Sequence, residues 1–206
     1  MTFWNDRVLP FLIEKACRSR EILDDRRRVV PQAEGDVLEL GVGSGLNLAF
    51  YDPARVTRVT GVDPSEALLA RARPRAAKSP VAVELVEARG EALPFDAGRF
   101  DAAVVTYTLC SVDDPAAVVA ELRRVLRPGA PVHFVEHGRA PDDAPRAWQQ
   151  RINPLWRRAS GGCTLDRDPA EALREGGFAL AELSSRYDTG PRWLGYTFRG
   201  VARRTG

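Results

Sequence analysis

A glycine-rich segment in the first quarter of the chain has the composition and spacing of a ligand-binding loop. It runs from Glu39 to Asn47 and places glycine at alternate positions, Gly41, Gly43 and Gly45. Glycine is needed where the chain turns tightly or where a ligand approaches the backbone, because a Cβ atom would obstruct both. We predict that this segment follows a strand, opens a helix and binds a ligand, with Glu39 and Asn47 among the contacts.

A carboxylate further along the chain indicates the kind of ligand. Asp63 follows the loop by about 20 residues, the interval at which an acidic residue binds the hydroxyls of a ribose. Dinucleotide loops carry a glycine three residues after their second glycine, whereas Leu46 stands at that position here. The loop and Asp63 therefore predict a site for a nucleoside without a pyrophosphate rather than for NAD.

The chain contains two histidines, and one of them is a candidate for proton transfer near neutral pH. His133 falls inside a predicted strand, where packing in the core is the simpler interpretation. His137 follows that strand, at the edge of the sheet where the ligand is expected, and Glu136 precedes it. We predict both His137 and Glu136 as catalytic candidates, each as a base or as a group that orients the acceptor. The alternatives are a structural hydrogen bond for His137 and an ion pair with an arginine for Glu136.

Short apolar runs that alternate with helical patterns are typical of βα units and predict a mostly parallel sheet with helices on both faces. The predicted strands of this sheet cover residues 37–40, 56–62, 81–86, 100–106 and 132–136. Helices are predicted to begin after the capping residues Ser65, Asp114 and Asp168. Two further strands, 178–187 and 193–201, are joined by turn-forming residues and predict an antiparallel pair at the end of the sheet.

Composition and charge indicate one globular domain. The chain has 206 residues, of which 44% are hydrophobic, and its formal net charge of +2 gives no indication of nucleic-acid binding. Arginines of the N-terminal segment, such as those at positions 26–28, are balanced by acidic neighbours, so we predict a solvated helix face. The longest stretch free of charge, residues 40–51, is shorter than the roughly 20 residues that span a bilayer. We expect a cytoplasmic protein without a signal peptide or an integral membrane segment.

The three cysteines are Cys17, Cys110 and Cys163, an odd number with wide spacing and no CxxC pair. This pattern argues against both a disulfide framework and a zinc site. We predict buried free thiols and no metal.

Several motifs taken together resemble the class I methyltransferases that use S-adenosylmethionine, in the group called methyltransferase type 11. The resemblance rests on residues 37–45, Asp63-Pro64, residues 90–95 and residues 126–129, and it covers roughly residues 35–200. It implies a Rossmann-like α/β fold with seven strands and a closing antiparallel hairpin. We divide the single domain 1–206 into an N-terminal helical segment (1–35), a cofactor-binding half (36–137), and substrate-side helices with the closing strands (138–206).

The resemblance also implies how S-adenosylmethionine is bound. The glycine loop would face the amino-acid portion of the cofactor. The positions that match the family's other contacts are Asp63 for the ribose hydroxyls, Pro64 beneath the adenine, Gly90 and Glu91 at the adenine edge, and Thr106 for the amino group. Arg89 stands where relatives often have an acidic residue, so Glu91 or the backbone must accept from the adenine amino group.

The second half of the chain resembles one branch more closely, the methyltransferase-like proteins of animals that methylate alkyl thiols. The similar segments are residues 108–112, 134–137, 148–149, 154–156 and 162–165. The resemblance implies direct in-line methyl transfer to a small, fairly apolar acceptor, with a thiol as the leading candidate. The residues predicted to line the acceptor pocket are Trp4, Tyr107, Cys110 and Trp148.

Other functions stay open at this level. A branch of quinone and phospholipid methyltransferases shares the cofactor motifs, so C-, O- or N-methylation of a quinone, phenol or lipid-like substrate is an alternative. From other classes, an NAD(P)-dependent oxidoreductase and a non-catalytic nucleoside-binding protein are alternatives. The position of the third glycine and the lack of an acid–base set for hydride transfer argue against the oxidoreductase.

Overall fold

The computed structural model describes residues 19–206, which form one seven-stranded sheet with helices packed against it. Trp4 and Cys17, predicted as a pocket residue and a buried thiol, lie outside the described residues. In chain order the strands are β1 (Gly35–Leu40), β2 (Val56–Asp63), β3 (Ala82–Glu87), β4 (Ala102–Thr106), β5 (Pro131–His137), β6 (Phe178–Tyr187) and β7 (Tyr196–Arg204).

The strand order in the sheet is β3-β2-β1-β4-β5-β7-β6. Strands β1 to β5 pair in parallel, and β7 runs antiparallel to both β5 and β6. The chain order reverses between β1 and β4, so a crevice opens at the carboxyl ends of these two strands. The mostly parallel, Rossmann-like sheet with a closing hairpin, predicted from the sequence, is confirmed.

Caps identified in the sequence begin three of the helices. Asp114 accepts the N–H of Ala117 at 3.0 Å, and Asp168 accepts that of Glu171 at 2.9 Å. The helices are α1 (Arg20–Val29), α2 (Glu66–Ala76), α3 (Pro115–Val125), α4 (Asp143–Ala159) and α5 (Pro169–Glu175). Across residues 19–206, none of the helices combines the length and the apolar character that a membrane crossing requires.

The central strands are buried on both faces because helices cover the sheet on each side. Every residue of β4 is buried, whereas the edge strand β3 has none that is fully buried. Along β1, Leu38 belongs to the apolar cluster that contains Leu122 of α3 and Leu173 of α5. Its neighbour Val37 belongs to the opposite cluster, with Leu69 of α2. This alternation fixes β1 and β4 in the middle of the molecule and makes their carboxyl ends a rigid platform.

The segment after β1 differs from the prediction. Residues 41–50 form successive turns rather than a helix. Its three glycines all have positive φ angles, and Pro53 follows closely, so too few residues remain to nucleate a helix. Asn47 and Tyr51 instead donate side-chain hydrogen bonds to Glu39 of β1, at 3.0 and 2.8 Å.

Candidate functional site

A cavity of about 470 Å³ opens at the carboxyl ends of β1, β2 and β4, where the reversal of strand order predicts a ligand site. Its walls come from the glycine loop, from the segments after β2, β3 and β4, and from the turn after α4. The predicted site residues that line it are Gly41, Gly43, Asp63, Pro64, Gly90, Glu91, Thr106 and Tyr107.

Two glycines of the loop are required for different reasons. Gly41 has a φ angle of +71°, and a Cβ atom there would lie 2.2 Å from Oγ1 of Thr108, so a side chain is excluded by both strain and space. Gly43 has a φ angle of +53°, but a Cβ atom there would meet no atom closer than the carbonyl oxygen of Gly41 at 4.0 Å. Gly43 therefore leaves open volume on the cavity side of the loop. The third glycine, Gly45, is not among the lining residues and packs against Ala72 of α2.

Asp63 presents a fixed carboxylate to the cavity. Its Oδ2 accepts the N–H of Gly43 at 3.0 Å, and its Oδ1 accepts the N–H of Ser65 at 2.9 Å. Burial raises the pKa of this carboxyl group, although the two backbone hydrogen bonds act in the opposite direction. The side chain thus joins the glycine loop to the end of β2.

Glu39 and Asn47 lie behind the cavity wall instead of lining it. Asn47 donates from Nδ2 to Glu39 and to Oγ1 of Thr106, both at 3.0 Å. The hydroxyl of Tyr51 also donates to the carboxylate of Glu39. Glu39 is buried, and the loss of solvent raises its pKa to about 7. These predicted contacts therefore connect β1, β4 and the glycine loop, and they act on the cavity through that loop and through Thr106.

Arg26 is a site residue that the sequence analysis missed. Its Nη1 donates to Oδ1 of Asn47 and to Oγ1 of Thr106, both at 2.7 Å, and the residue lines the cavity. It is 6% exposed, and its buried Nε has no hydrogen-bond partner. The prediction of a solvated face holds for Arg27, whose side chain is 55% exposed, but it is wrong for Arg26 because consecutive residues of a helix point in different directions.

The segment after β3 forms the opposite wall. Gly90 and Glu91 line the cavity, as does Asp113, which precedes the capping residue of α3. Arg89 is 61% exposed and pairs with Asp113 at 2.6 Å and with Glu91 at 3.5 Å. Arg89, which departs from the family pattern, thus has its positive charge neutralised by two acidic neighbours at the rim of the cavity.

Tyr107 forms the end of the cavity next to β5. Its φ angle is +55°, the one positive φ angle of a non-glycine residue within 19–206, and its ring centroid lies 4.7 Å from that of His137. A non-glycine residue in this conformation is strained and is held there by its surroundings. Ser111, Gly161 and Gly162 complete this end of the cavity.

The two catalytic candidates lie behind this wall. Glu136 accepts the N–H groups of Thr108, Leu109 and Cys110, at 2.7, 3.1 and 3.2 Å. It is fully buried, and burial raises its pKa to about 7 against the effect of those hydrogen bonds. Glu136 therefore holds the turn after β4 in place, and His137 lies beneath Tyr107.

Cys110, His137 and Cys163 form a cluster that we call the Cys-His-Cys cluster. One potential ligand atom from each lies within 4.8 Å of the other two. The thiol of Cys110 and the ring of His137 lower the pKa of Cys163 to about 5 despite burial. Burial alone would lower the pKa of His137, but Cys163, Asp188 and Glu136 together raise it above its ordinary value. Cys110 and Cys163 are free thiols, as predicted, but Cys110, predicted to line the acceptor pocket, is not among the residues that line the cavity. Their spacing in the sequence did not indicate that they lie close together, because residues far apart in the chain end at the same edge of the sheet.

The remaining predicted residues lie apart from the cavity. Trp148 is 52% exposed on α4, with the guanidinium of Arg151 5.7 Å from its ring centroid, and it is not among the lining residues. It sits on the outward face of an amphipathic helix, which the sequence pattern did not distinguish from the inward face. His133 is buried within β5, as predicted for a core residue, and burial lowers its pKa to about 4.

Known proteins are similar to this chain in sequence and in fold. Residues 38–134 match the family model described as a methyltransferase domain. The chain is 37% identical to thiol S-methyltransferase TMT1B of Homo sapiens and 33% identical to thiol S-methyltransferase TMT1A of Homo sapiens. These matches cover 77% and 82% of this chain, and they span 65% and 71% of the two relatives.

A solved structure with the same architecture is the S-adenosylmethionine-dependent methyltransferase from Mesorhizobium loti. The superposition has a TM-score of 0.67 and covers 91% of this chain and 99% of that one, at 22% sequence identity. At this identity the similarity establishes the fold.

Proposed function

The chain belongs to the family of S-adenosylmethionine-dependent methyltransferases, and on this premise we propose that it transfers the methyl group of S-adenosylmethionine to a small, fairly apolar acceptor by direct in-line displacement. We favour a thiol as the acceptor, since the two human relatives are named as thiol S-methyltransferases. The observation that carries the proposal is the carboxylate of Asp63, held at the cavity by two backbone N–H groups.

The residues around the cavity fit this cofactor. Each oxygen of Asp63 accepts one backbone N–H and keeps a lone pair for a hydroxyl of the ribose. The open volume beside Gly43 is space that a side chain would fill. The buried Nε–H of Arg26 lacks a partner and suits the carboxylate at the amino-acid end of the ligand.

The other contacts are assigned by their place in the wall. The residues that we propose to touch the cofactor directly are Gly41, Pro64, Gly90, Glu91 and Thr106. Glu39, Gly45 and Asn47 would support the loop from behind. These contacts lie within residues 36–137, which we propose as the cofactor-binding half, whereas Arg26 reaches the cavity from the N-terminal helical segment.

Methyl transfer needs little chemistry from the protein. S-adenosylmethionine supplies a methyl group on a positively charged sulfur, which is already a good leaving group. Holding the acceptor in line can lower the barrier by about 7 to 11 kcal/mol. A thiol acceptor must also lose its proton, because the thiolate is the nucleophile. We assign to His137 the promotion of this proton loss and to Glu136 the positioning of the turn that carries Tyr107.

The acceptor end also bears on substrate and compartment. We assign the acceptor to the space next to Tyr107, which Val112 and the glycines of the turn after α4 also border. This lining favours a small, uncharged group. Cys110 and Cys163 are free thiols, which supports a location in a reducing compartment such as the cytoplasm.

Calorimetric titration of the chain tests the proposal first. We expect binding of S-adenosylmethionine and of its demethylated product, and no binding of NAD. The second step is transfer of labelled methyl groups to a matched panel of thiols, phenols, amines and quinones. No heat with either sulfur compound would refute the proposal, and binding without transfer to any acceptor would favour a nucleoside-binding protein.

Arg26 provides a test of the ligand's orientation. We expect Arg26→Met to weaken binding of S-adenosylmethionine by roughly tenfold or more, the cost of one charge-assisted hydrogen bond. Adenosine lacks the amino-acid portion and should therefore bind equally to the wild-type protein and to Arg26→Met. Arg27→Met, one residue along on the exposed side, is the matched control.

A further inference from the structure

The Cys-His-Cys cluster is assembled from three separate parts of the fold. Cys110 lies in the turn after β4, His137 ends β5, and Cys163 follows α4. Their potential ligand atoms all lie within 4.8 Å of one another. Two thiols and one imidazole at a single point form a donor set with a specific chemistry, because sulfur and imidazole nitrogen are the ligands that Zn²⁺ prefers.

The spacing is close to what a zinc ion requires. Zinc binds sulfur at about 2.3 Å and nitrogen at about 2.0 to 2.1 Å, so tetrahedral geometry places such ligand atoms roughly 3.5 to 3.8 Å apart. The observed upper limit of 4.8 Å exceeds this by about one ångström. We infer that a bound ion would draw the three ligand atoms together by up to about this distance.

Backbone contacts fix the two cysteine segments against each other. The backbone N–H and the hydroxyl of Thr164 both donate to the carbonyl oxygen of Cys110, at 2.8 and 2.7 Å. Arg167 donates to the carbonyl oxygens of Leu109 and Val112, at 2.7 and 2.6 Å, and so joins the same two segments. The thiols are therefore brought together by the fold before any ion binds, which reduces the cost of forming the site.

The cluster has three ligands, and its neighbours face the cavity. Glu136 is next to His137, but three backbone N–H groups occupy its carboxylate, so it does not supply a fourth ligand. Ser111 and Gly162, adjacent to the two cysteines in the chain, line the acceptor end of the cavity. Three protein ligands with one open position are typical of catalytic zinc sites, whereas structural sites have four.

We propose that Cys110, His137 and Cys163 bind one zinc ion, with the fourth coordination position open toward the acceptor end of the cavity. Binding releases to solvent the thiol proton of Cys110 and the proton that Cys163 and His137 share, so that both sulfur atoms coordinate as thiolates and His137 coordinates through a neutral ring nitrogen. An acceptor thiol that takes the open position gives its proton to solvent and binds as the thiolate. This last step rests on the proposed function, because it is how His137, as a zinc ligand, would promote proton loss from the acceptor. The metal site itself does not rest on the proposed function.

Metal content tests the site independently of activity. The full chain is purified without oxygen, with a phosphine as reductant so that no added thiol competes. After removal of metal with a chelator and titration with zinc, we expect one ion per chain by elemental analysis. Replacement by cobalt(II) should give the absorption bands of a tetrahedral ion and the charge-transfer band of thiolate ligands.

Variants identify the ligands. Cys110→Ser, Cys163→Ser and His137→Gln should each weaken zinc binding by roughly tenfold or more. His133→Gln alters the other histidine, which lies within β5 outside the cluster, and should leave zinc binding unchanged. Circular dichroism and binding of S-adenosylmethionine show whether each variant is folded. Zinc bound equally by all three variants would overturn the proposal.

In the wild-type protein, an acceptor thiol must also be able to bind the metal at its open coordination position. Addition of a small alkyl thiol should shift the cobalt spectrum, and the alcohol of the same carbon skeleton should not. A chain that binds neither zinc nor cobalt, or that forms a Cys110–Cys163 disulfide in place of the metal complex, would overturn the site. If the metal binds and S-adenosylmethionine does not, the proposed function fails and the metal site stands.

Discussion

The two ends of the cavity are built in different ways. At the end that we assign to the cofactor, residues 41–46 and 63–65 form two continuous segments, and the groups that meet there are mainly backbone atoms and one carboxylate. At the end that we assign to the acceptor, the chemical groups are side chains from β5 and from the turns after β4 and α4. A backbone site can be encoded by a short motif, whereas a side-chain site depends on how distant segments meet.

Removal of the carboxylate of Glu136 should have the largest effect, and it concerns the acceptor end. Glu136→Ala leaves three buried backbone N–H groups without an acceptor, and each costs about 1 to 3 kcal/mol. We expect a loss of at least about 3 kcal/mol in the free energy of unfolding, measured by urea denaturation. The milder Glu136→Gln keeps one acceptor oxygen and should lose less.

The milder variant, Glu136→Gln, also distinguishes the two ends of the cavity. In Glu136→Gln we expect KM for the acceptor to rise more than the dissociation constant for S-adenosylmethionine, because the altered turn borders the acceptor end. Equal weakening of both would mean that the two ends are not separate units.

Asp63→Ala is the corresponding change at the cofactor end. The two ribose hydroxyls lose the charged acceptor to which they donate, which should weaken binding of S-adenosylmethionine by roughly 100-fold or more in titration calorimetry. Asp36→Ala is the control, since Asp36 is also an aspartate of the sheet that accepts hydrogen bonds but contacts Arg58 and Arg99 rather than the cavity. Unchanged affinity in Asp63→Ala would refute the ribose assignment.

Gly43→Ala tests whether the open space beside the loop belongs to the ligand. The substitution adds a methyl group that points into the cavity and should weaken cofactor binding by roughly tenfold or more, since a buried clash typically costs 1 to 3 kcal/mol. Gly98→Ala is a close control, because Gly98 has a φ angle of +65° with no atom within 4 Å and lies outside the cavity. Both variants should lose about 1 to 2 kcal/mol of stability from the strained backbone, and only Gly43→Ala should lose affinity.

The contrast between the two ends also explains which features could be predicted from the sequence. The strands, the caps of the helices and the glycine loop with Asp63 are local patterns, and the structure has the elements within a few residues of their predicted bounds. The inward position of Arg26 was missed because a run of three arginines indicates charge and not direction. The Cys-His-Cys cluster was missed because spacing along the chain was used to judge proximity, although parallel strands bring distant residues to one edge.

Glu39 should have the smallest effect on cofactor affinity, and it tests the support behind the glycine loop. Its pKa is raised from an ordinary value near 4.5 to about 7 in the folded protein. Between these values the folded state binds more protons than the unfolded state, so the free energy of unfolding falls as pH rises and levels off above about pH 7. In Glu39→Gln this titration is absent, while Tyr51 and Asn47 can still bond to the amide.

We therefore expect the stability of Glu39→Gln relative to the wild type to increase from pH 5 to pH 8, by on the order of 1 to 3 kcal/mol. Urea denaturation of both proteins across this range measures the difference, in which the titration of all other groups largely cancels. Cofactor affinity should change little, because Glu39 does not line the cavity and acts on it only indirectly, through the loop and through Asn47 and Thr106. A difference that stays constant with pH would mean that Arg26 keeps Glu39 ionised throughout, and the two buried groups would then form an ion pair beneath the cofactor site.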